Sequence, residues 1–253
     1  MPASAIAVIP ARYDSSRFPG KPLADKTGKP LIQHVIEQVR RAKQVVRIVV
    51  ATDDERIAEA VRGCGSEAVM TKKDHPNGTS RIAEVVEKLK KEYREKDQLL
   101  PGVIVNVQGD EPEIEPEVID QLIIGLGKDM KAPMATLASD FAEDEDPKDP
   151  NIVKLIVNQK GHALYFSRSL IPYDRDGKGE VKPLKHPGLY AYRPDFLLKY
   201  VELEETPLER CESLEQLRAI EHGYPIAVIK ANINHHGIDT PEQYEEFVAR
   251  IKK

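Results

Sequence analysis

A short apolar run, residues 5–9 (Ala-Ile-Ala-Val-Ile), reads as a buried strand, and the next helical pattern begins only near Pro30. Roughly twenty residues therefore separate this strand from its helix, where a handful is usual. A connection that long is either disordered or functional, and its composition argues for function. Arg12, Arg17 and Lys21 stand five and four residues apart, with Pro10, Pro19, Gly20 and Pro22 stiffening the chain around them. Three cations at the carboxyl end of a first strand suit an anion, a triphosphate being the obvious one. The glycine fingerprints G-x-G-x-x-G and G-x-x-x-x-G-K-[ST] are missing here, so side-chain cations would do what backbone amides do in those loops.

The chain then alternates strand and helix signals. Residues 30–43 have helical apolar spacing, with proline in the first turn and cations at the end. Residues 45–51 form a near-continuous apolar run that suits a central parallel strand covered on both faces. Thr52, Asp53 and Asp54 are expected to cap a helix reaching about Arg62. Asp53 reads as part of that cap, with a ligand contact as the alternative. Gly63 and Gly65 end the helix, and residues 67–71 give the next strand. His75-Pro-Asn-Gly-Thr-Ser-Arg81 opens a helix to about Glu95. Its small residues let a ligand approach the backbone closely, although Thr79 or Ser80 could simply be a cap. An apolar strand from Val103 then runs into Gln108-Gly-Asp-Glu-Pro112. Ligands of open α/β sheets sit outside the carboxyl ends of strands. Asp110 stands at such an end and is the first choice for a Mg²⁺ ligand, with an Asp-Glu-Pro turn as the alternative. A helix over 115–127, a strand over 134–139 and a solvated acidic loop over 140–149 follow.

After Asn151 the pattern becomes antiparallel. Residues 152–157 and 163–167 read as a hairpin that continues through 173. A polar loop over 174–180, a strand over 186–193, one amphipathic helix over 208–222 and a closing strand over 226–230 complete the region. Thr240 then caps the last helix, with Pro241 at its first position and Gln243 completing a capping box. Asp239 is left one residue outside the cap, free to point at a ligand. His235 and His236 precede it without a third ligand at transition-metal spacing, and read as solvated or supporting residues.

With 253 residues, 40% of them hydrophobic, the chain suits one large α/β domain. A net charge of −5 argues against general binding to nucleic acid. The sequence has no apolar run long enough to span a membrane, and its start lacks the pattern of a secretory signal. Cys64 and Cys211 are isolated, as expected of thiols in a reducing cytoplasm.

Several ordered blocks of this chain resemble the sugar-activating cytidylyltransferases, and most closely those specific for 3-deoxy-manno-octulosonate (Kdo). They are Ile9-Pro-Ala-Arg12, Arg17-Phe-Pro-Gly-Lys-Pro-Leu23, Val105-Asn-Val-Gln-Gly-Asp-Glu-Pro112, Ala163-Leu-Tyr-Phe-Ser-Arg168, His186-Pro-Gly-Leu-Tyr-Ala-Tyr-Arg193, the Leu-Glu-Gln-Leu-Arg run ending at Arg218, and Gly237-Ile-Asp-Thr-Pro241. The family's His-x-Ser-Gly-Thr-acid-Arg block is matched by His75, Gly78, Thr79 and Arg81, with Asn77 for the usual Ser and Ser80 for the usual acid.

The resemblance implies a Rossmann-like nucleotidyltransferase fold with a mixed sheet. It implies one domain over residues 1–253, in which an antiparallel excursion over 151–225 binds sugar and forms a homodimer. The implied reaction transfers a cytidylyl group from CTP to Kdo, a step of lipopolysaccharide biosynthesis, with Mg²⁺ held by Asp110 and Asp239. Arg12 and Lys21 would hold the triphosphate, helped by Arg17; Gly78, Thr79 and Arg81 would wall the cytosine and ribose, and Gln108 would also bind CTP. Arg168 could clamp the sugar carboxylate, while His186, Tyr190, Glu212 and Gln216 sort its hydroxyls. Tyr190 could equally be core, and Glu212 and Gln216 exposed helix residues. A hydroxyl beside a divalent cation is more acidic, so no general base is assigned. Lys21-Pro-Leu argues against the sialic acid relative, which usually has Lys-Asn; an 8-amino variant of Kdo is harder to separate. A non-catalytic nucleotide binder is weighed against by Arg12, Lys21, Asp110 and Asp239, and a nicotinamide dehydrogenase by the missing glycine fingerprint.

Overall fold

The computed structural model describes residues 4–15, 17–233 and 237–252; His235 and His236 lie outside them. In chain order the elements are β1 (Ala5–Ala11), α1 (Leu31–Arg40), β2 (Val45–Thr52), α2 (Glu55–Gly63), β3 (Glu67–Met70), α3 (Gly78–Glu95), β4 (Val103–Asn106), α4 (Pro116–Lys128) and β5 (Met134–Ala138). They continue with β6 (Lys154–Val157), β7 (Ala163–Ser167), β8 (Leu184–Lys185), β9 (Tyr190–Tyr192), α5 (Pro194–Tyr200), α6 (Pro207–Glu212), α7 (Leu217–Glu221), β10 (Ile226–Lys230) and α8 (Pro241–Ile251). The chain divides into two compact units, Met1–Asp120 with Asn234–Lys253, and Gln121–Ile233.

The first unit carries parallel strands in the order β4-β1-β2-β3. Ala5 of β1 lies opposite Val45 of β2 and Val103 of β4. β1 is buried except at Pro10, which explains its unbroken apolar sequence, and all four β4 residues are buried, the polar Asn106 among them. The expectation for β2 holds only in its second half, because Val46 near its start is 62% exposed. In α1, Leu31, Ile32, Val35, Ile36 and Val39 are fully buried, and the helix stops three residues short of the expected Lys43. Leu31 also joins Ile238, Tyr244, Phe247 and Val248 in a cluster that fastens α8 to this unit. Burying Phe247 there contributes about 1.5–3 kcal/mol. The capping box at Thr240 and Gln243 forms as the sequence predicts.

In the second unit β5 pairs in parallel with β10 and antiparallel with β9, so the sheet is mixed. A separate antiparallel sheet has the order β7-β6-β8 and contains the expected hairpin. That hairpin ends at Ser167 and does not continue to 173. The expected strand over 186–193 is strand only at Tyr190–Tyr192, and α5 after it was not foreseen.

The single helix expected over 208–222 is two, α6 and α7. Ser213 takes the left-handed conformation (φ 52°), which ends α6 because a continuous helix needs negative φ at every residue. Glu212 and Gln216 therefore do not share a helix face. Gly125 of α4 meets β10 so closely that an added Cβ would lie 2.2 Å from Ile229 Cγ1. Gly125→Ala is expected to destabilise the protein by about 1–3 kcal/mol, read from denaturant unfolding of both proteins; an unchanged midpoint would contradict the packing described.

Candidate active site

The strand order β3-β2-β1-β4 reverses direction at β1, and ligands of such sheets bind beyond the strand ends at that crevice. A cleft of about 410 Å³ opens there, lined by Arg12, Arg17, Lys21, Gln108, Asp110 and Asp239, with Asn77, Gly78 and Arg81 on its wall. The long connection after β1 folds into it through a defined turn. Gly20 is left-handed (φ 71°), its N–H donates to the Tyr13 carbonyl at 2.9 Å, and its carbonyl accepts from Leu23 N–H at 2.8 Å. The Tyr13 ring lies against Gly20, where a Cβ would sit 3.1 Å from it. Arg56 stacks over that ring, 3.5 Å from its centroid, and is itself held by Asp54. Tyr13 and Arg56 were not found from the sequence; an aromatic residue between the loop cations is the signal that was passed over.

Lys21 is held at this turn with only 11% of its side chain exposed. Its Nζ donates to Asp110 Oδ2 at 2.8 Å and to the Ile238 carbonyl at 2.7 Å, and lies 3.6 Å from Asp239 Oδ1. Arg17 Nη2 reaches the same Asp239 oxygen at 3.0 Å. Arg12 is exposed in the cleft and makes no ion pair among the described residues. Asp110 is fixed through its carbonyl, which accepts from Ile238 N–H at 2.8 Å, and Asp239 through its N–H, which donates to Gln243 Oε1 at 2.7 Å. Beside Asp110, burial pushes the Glu111 carboxyl up to about 8, with the Asp110 and Glu115 charges adding to the effect.

On the opposite wall, Asn77 caps α3 by accepting from Ser80 N–H at 2.8 Å, so neither Thr79 nor Ser80 is the cap. The asparagine that departs from the family pattern thus performs the capping. Thr79 is buried and does not line the cleft; Gly78 and Arg81 do. Arg81 is held by Thr71 Oγ1 at 2.6 Å and by Asp53 Oδ2 at 3.2 Å. This corrects the reading of Asp53: the cap of α2 is Asp54, and Asp53 anchors Arg81. A cap needs only one acid, so the second was the clue.

The residues expected to sort sugar hydroxyls lie in the second unit. His186 packs edge-on against Phe166 and Tyr190, at centroid distances of 4.9 and 5.4 Å. Thr136 Oγ1 donates to the Leu189 carbonyl at 2.7 Å, so the contact at 3.0 Å between that oxygen and His186 assigns the proton to Nε2. Burial lowers the His186 pKa to about 3 and raises the Tyr190 phenol well above its ordinary value. Glu212 holds the end of β7, accepting from Ser167 Oγ at 2.7 Å and Arg168 N–H at 2.9 Å. Arg168 donates to the carbonyls of Pro150, Glu212 and Ser213 at 3.0, 2.7 and 3.4 Å, leaving two of its five N–H groups. Gln216 is buried, not exposed, and its Nε2 has no partner among the described residues.

Neutral His186 has a testable consequence. Its folded pKa lies below its unfolded value, so the unfolded chain binds more protons between about pH 6.5 and 3, and the residue's contribution to stability is lost as pH falls through that window. The melting temperature of the wild-type protein should fall more steeply from pH 6.5 to 4 than that of His186→Gln; parallel profiles would contradict it.

A parallel sheet with cations and aspartates converging at its switch point defines an α/β protein of the nucleotidyltransferase type. The cytidylyltransferase family pattern matches residues 6–230. A 3-deoxy-manno-octulosonate cytidylyltransferase of Geobacter sulfurreducens is 45% identical over 256 residues, covering 97% of this chain and 98% of the relative. One of Syntrophus aciditrophicus is 48% identical, covering 98% and 95%. The solved structure of a CMP:2-keto-3-deoxy-manno-octonic acid synthetase complexed with CTP superposes with a TM-score of 0.89 at 42% identity, covering 98% of both chains. The chain belongs to the cytidylyltransferase family, in the 3-deoxy-manno-octulosonate branch of it.

The cleft also fits a divalent cation. Asp110 Oδ2 and Asp239 Oδ1 converge on one point, now marked by the single ammonium nitrogen 2.8 and 3.6 Å away. Two hard anionic oxygens match what Mg²⁺ takes from protein, the rest of its shell being phosphate and water. Among the described residues there is no group of three or more His, Cys, Asp or Glu of the kind that would form an all-protein metal cage. No helix is long and apolar enough to cross a membrane, again among the described residues.

Proposed function

We propose that this protein transfers the cytidylyl group of CTP to Kdo, giving CMP-Kdo and pyrophosphate. One observation carries the reading: Arg12, Arg17, Lys21, Asp110 and Asp239 meet in a single cleft at the carboxyl ends of β1 and β4. The names of the relatives and the CTP bound in the neighbouring structure support it.

Arg12, Arg17 and Lys21 neutralise and align the triphosphate. Gly78 and Arg81, with Asn77, face the nucleoside, and Gln108 stands beside the phosphates. The anomeric hydroxyl of the sugar attacks the α-phosphate in line, and positioning and charge neutralisation supply most of the rate. Bound at Asp110 and Asp239, Mg²⁺ would neutralise charge developing at the α-phosphate. In the second unit the Gln216 Nε2, which has no partner among the described residues, supports a contact with a sugar hydroxyl, and the two remaining Arg168 donors are enough for a carboxylate. His186 and Tyr190, kept uncharged, offer hydrogen bonds suited to hydroxyls. Glu212 contributes by holding Ser167 and Arg168. A cytoplasmic homodimer, with residues 151–225 forming the sugar-binding and dimer-forming excursion of one domain, is part of the same reading.

The test is pyrophosphate release with CTP and Mg²⁺, comparing Kdo, 8-amino-Kdo and sialic acid. Release is expected with Kdo. Release only with another of these sugars would move the specificity assignment, and measurable CTP binding without release would overturn the catalytic reading.

A further inference from the structure

The Lys21 ammonium occupies the point where the two aspartates converge. Its three N–H groups face Asp110 Oδ2 at 2.8 Å, the Ile238 carbonyl at 2.7 Å and Asp239 Oδ1 at 3.6 Å, and its stem is largely covered by protein. A divalent cation bound by the same two oxygens would have to lie within about 2.0–2.1 Å of each. Two cations cannot share that space: the separations are too short and the charges repel. Resting on the reading of the cleft as a triphosphate and Mg²⁺ site, we propose that Lys21 is an interlock whose ammonium and the metal compete for the Asp110–Asp239 pair, so that the metal gains the site as the triphosphate draws Lys21 away.

Lysine suits this task. It is a compact charge on an unbranched, flexible stem, and can exchange carboxylate partners for phosphate partners by rotating about its own bonds. Arg17 moves with less hindrance, being 65% exposed and, among the described residues, paired only with the 45%-exposed Asp239. When a triphosphate takes both cations, the two carboxylates are left without their partners and become a strong site for a divalent ion. The coupling is reciprocal: whatever factor CTP adds to metal affinity, the metal adds to CTP affinity. Substitution of Lys21 therefore has two opposed effects. It weakens triphosphate binding and strengthens metal binding without nucleotide, a combination that a purely phosphate-binding lysine would not produce.

The experiment is equilibrium binding of Mn²⁺, used as the paramagnetic substitute for Mg²⁺ and read by electron paramagnetic resonance on the full chain, with and without CTP. Wild type should bind Mn²⁺ weakly alone and about tenfold or more tightly with CTP. Lys21→Met, with Lys21→Gln as a second variant, should tighten nucleotide-free Mn²⁺ binding by about tenfold and shrink the gain from CTP. Arg12→Met removes an equal charge from the cleft without touching either carboxylate, and should leave nucleotide-free Mn²⁺ binding unchanged. Lys21 variants no tighter than wild type, or an Arg12 variant as tight as they are, would overturn the interlock. Asp110→Asn distinguishes the two levels: if it leaves Mn²⁺ binding with CTP unaffected, the metal assignment itself fails; if it weakens that binding while Lys21→Met changes nothing, the interlock alone fails.

Discussion

Asp110→Asn is expected to lower kcat for cytidylyl transfer by about a hundredfold or more, with folding unchanged. The substitution keeps the size and the backbone contacts of the residue, including the hydrogen bond from Ile238 N–H to its carbonyl. What it removes is one of the two anionic oxygens converging at the head of the cleft. A neutral amide holds a divalent cation poorly, so the metal-binding pair is broken. Steady-state kinetics beside a thermal melt separate the outcomes. Near-normal turnover contradicts the role of Asp110, and a collapsed melt places the residue in folding instead.

Gly109→Ala is expected to cost about as much without altering any charge. An added Cβ at this position would lie 2.7 Å from the Pro10 carbonyl, a rigid backbone atom on β1, with Ile32 Cδ1 and Ile9 Cγ2 at 3.6 Å behind it. The chain after β4 must move away from β1, and Asp110 is the next residue. A displacement of about 1 Å at a group that positions reacting atoms can cost a hundredfold in rate. The stability loss should be no more than about 1–3 kcal/mol. Activity and unfolding measured on one preparation check this: a large fall in kcat with a modest fall in stability is the expected pair, and full activity would show that Asp110 tolerates displacement.

Much of the first unit was legible because its signals are local. The apolar runs of β1, β2 and β4, the caps around α2 and α8, and the loop bearing Arg12, Arg17 and Lys21 are each contained in a few consecutive residues. Asp110 and Asp239 could be nominated from their places at a strand end and outside a helix cap, although they stand 129 positions apart. Their convergence on one lysine could not, since it depends on the pairing of β4 with β1 and on the docking of Tyr244 and Phe247 in the core. The second unit was harder to read. Residues 208–222 have amphipathic spacing throughout, and the break at Ser213 comes from a left-handed backbone that no glycine or proline announces. Burial decided what composition left open: Gln216 went inside with a side-chain nitrogen that has no partner among the described residues, while Arg168 and Glu212 became bound up with the backbone around β7.

In the proposed reaction a sugar hydroxyl attacks the α-phosphate of CTP in this cleft. The most direct measurement is phosphorus NMR of a reaction containing CTP, Mg²⁺ and Kdo labelled with ¹³C at the anomeric carbon. One equivalent of pyrophosphate and a phosphodiester signal split by the labelled carbon are expected. Pyrophosphate accompanied by free CMP, or a phosphodiester without carbon coupling, would contradict it.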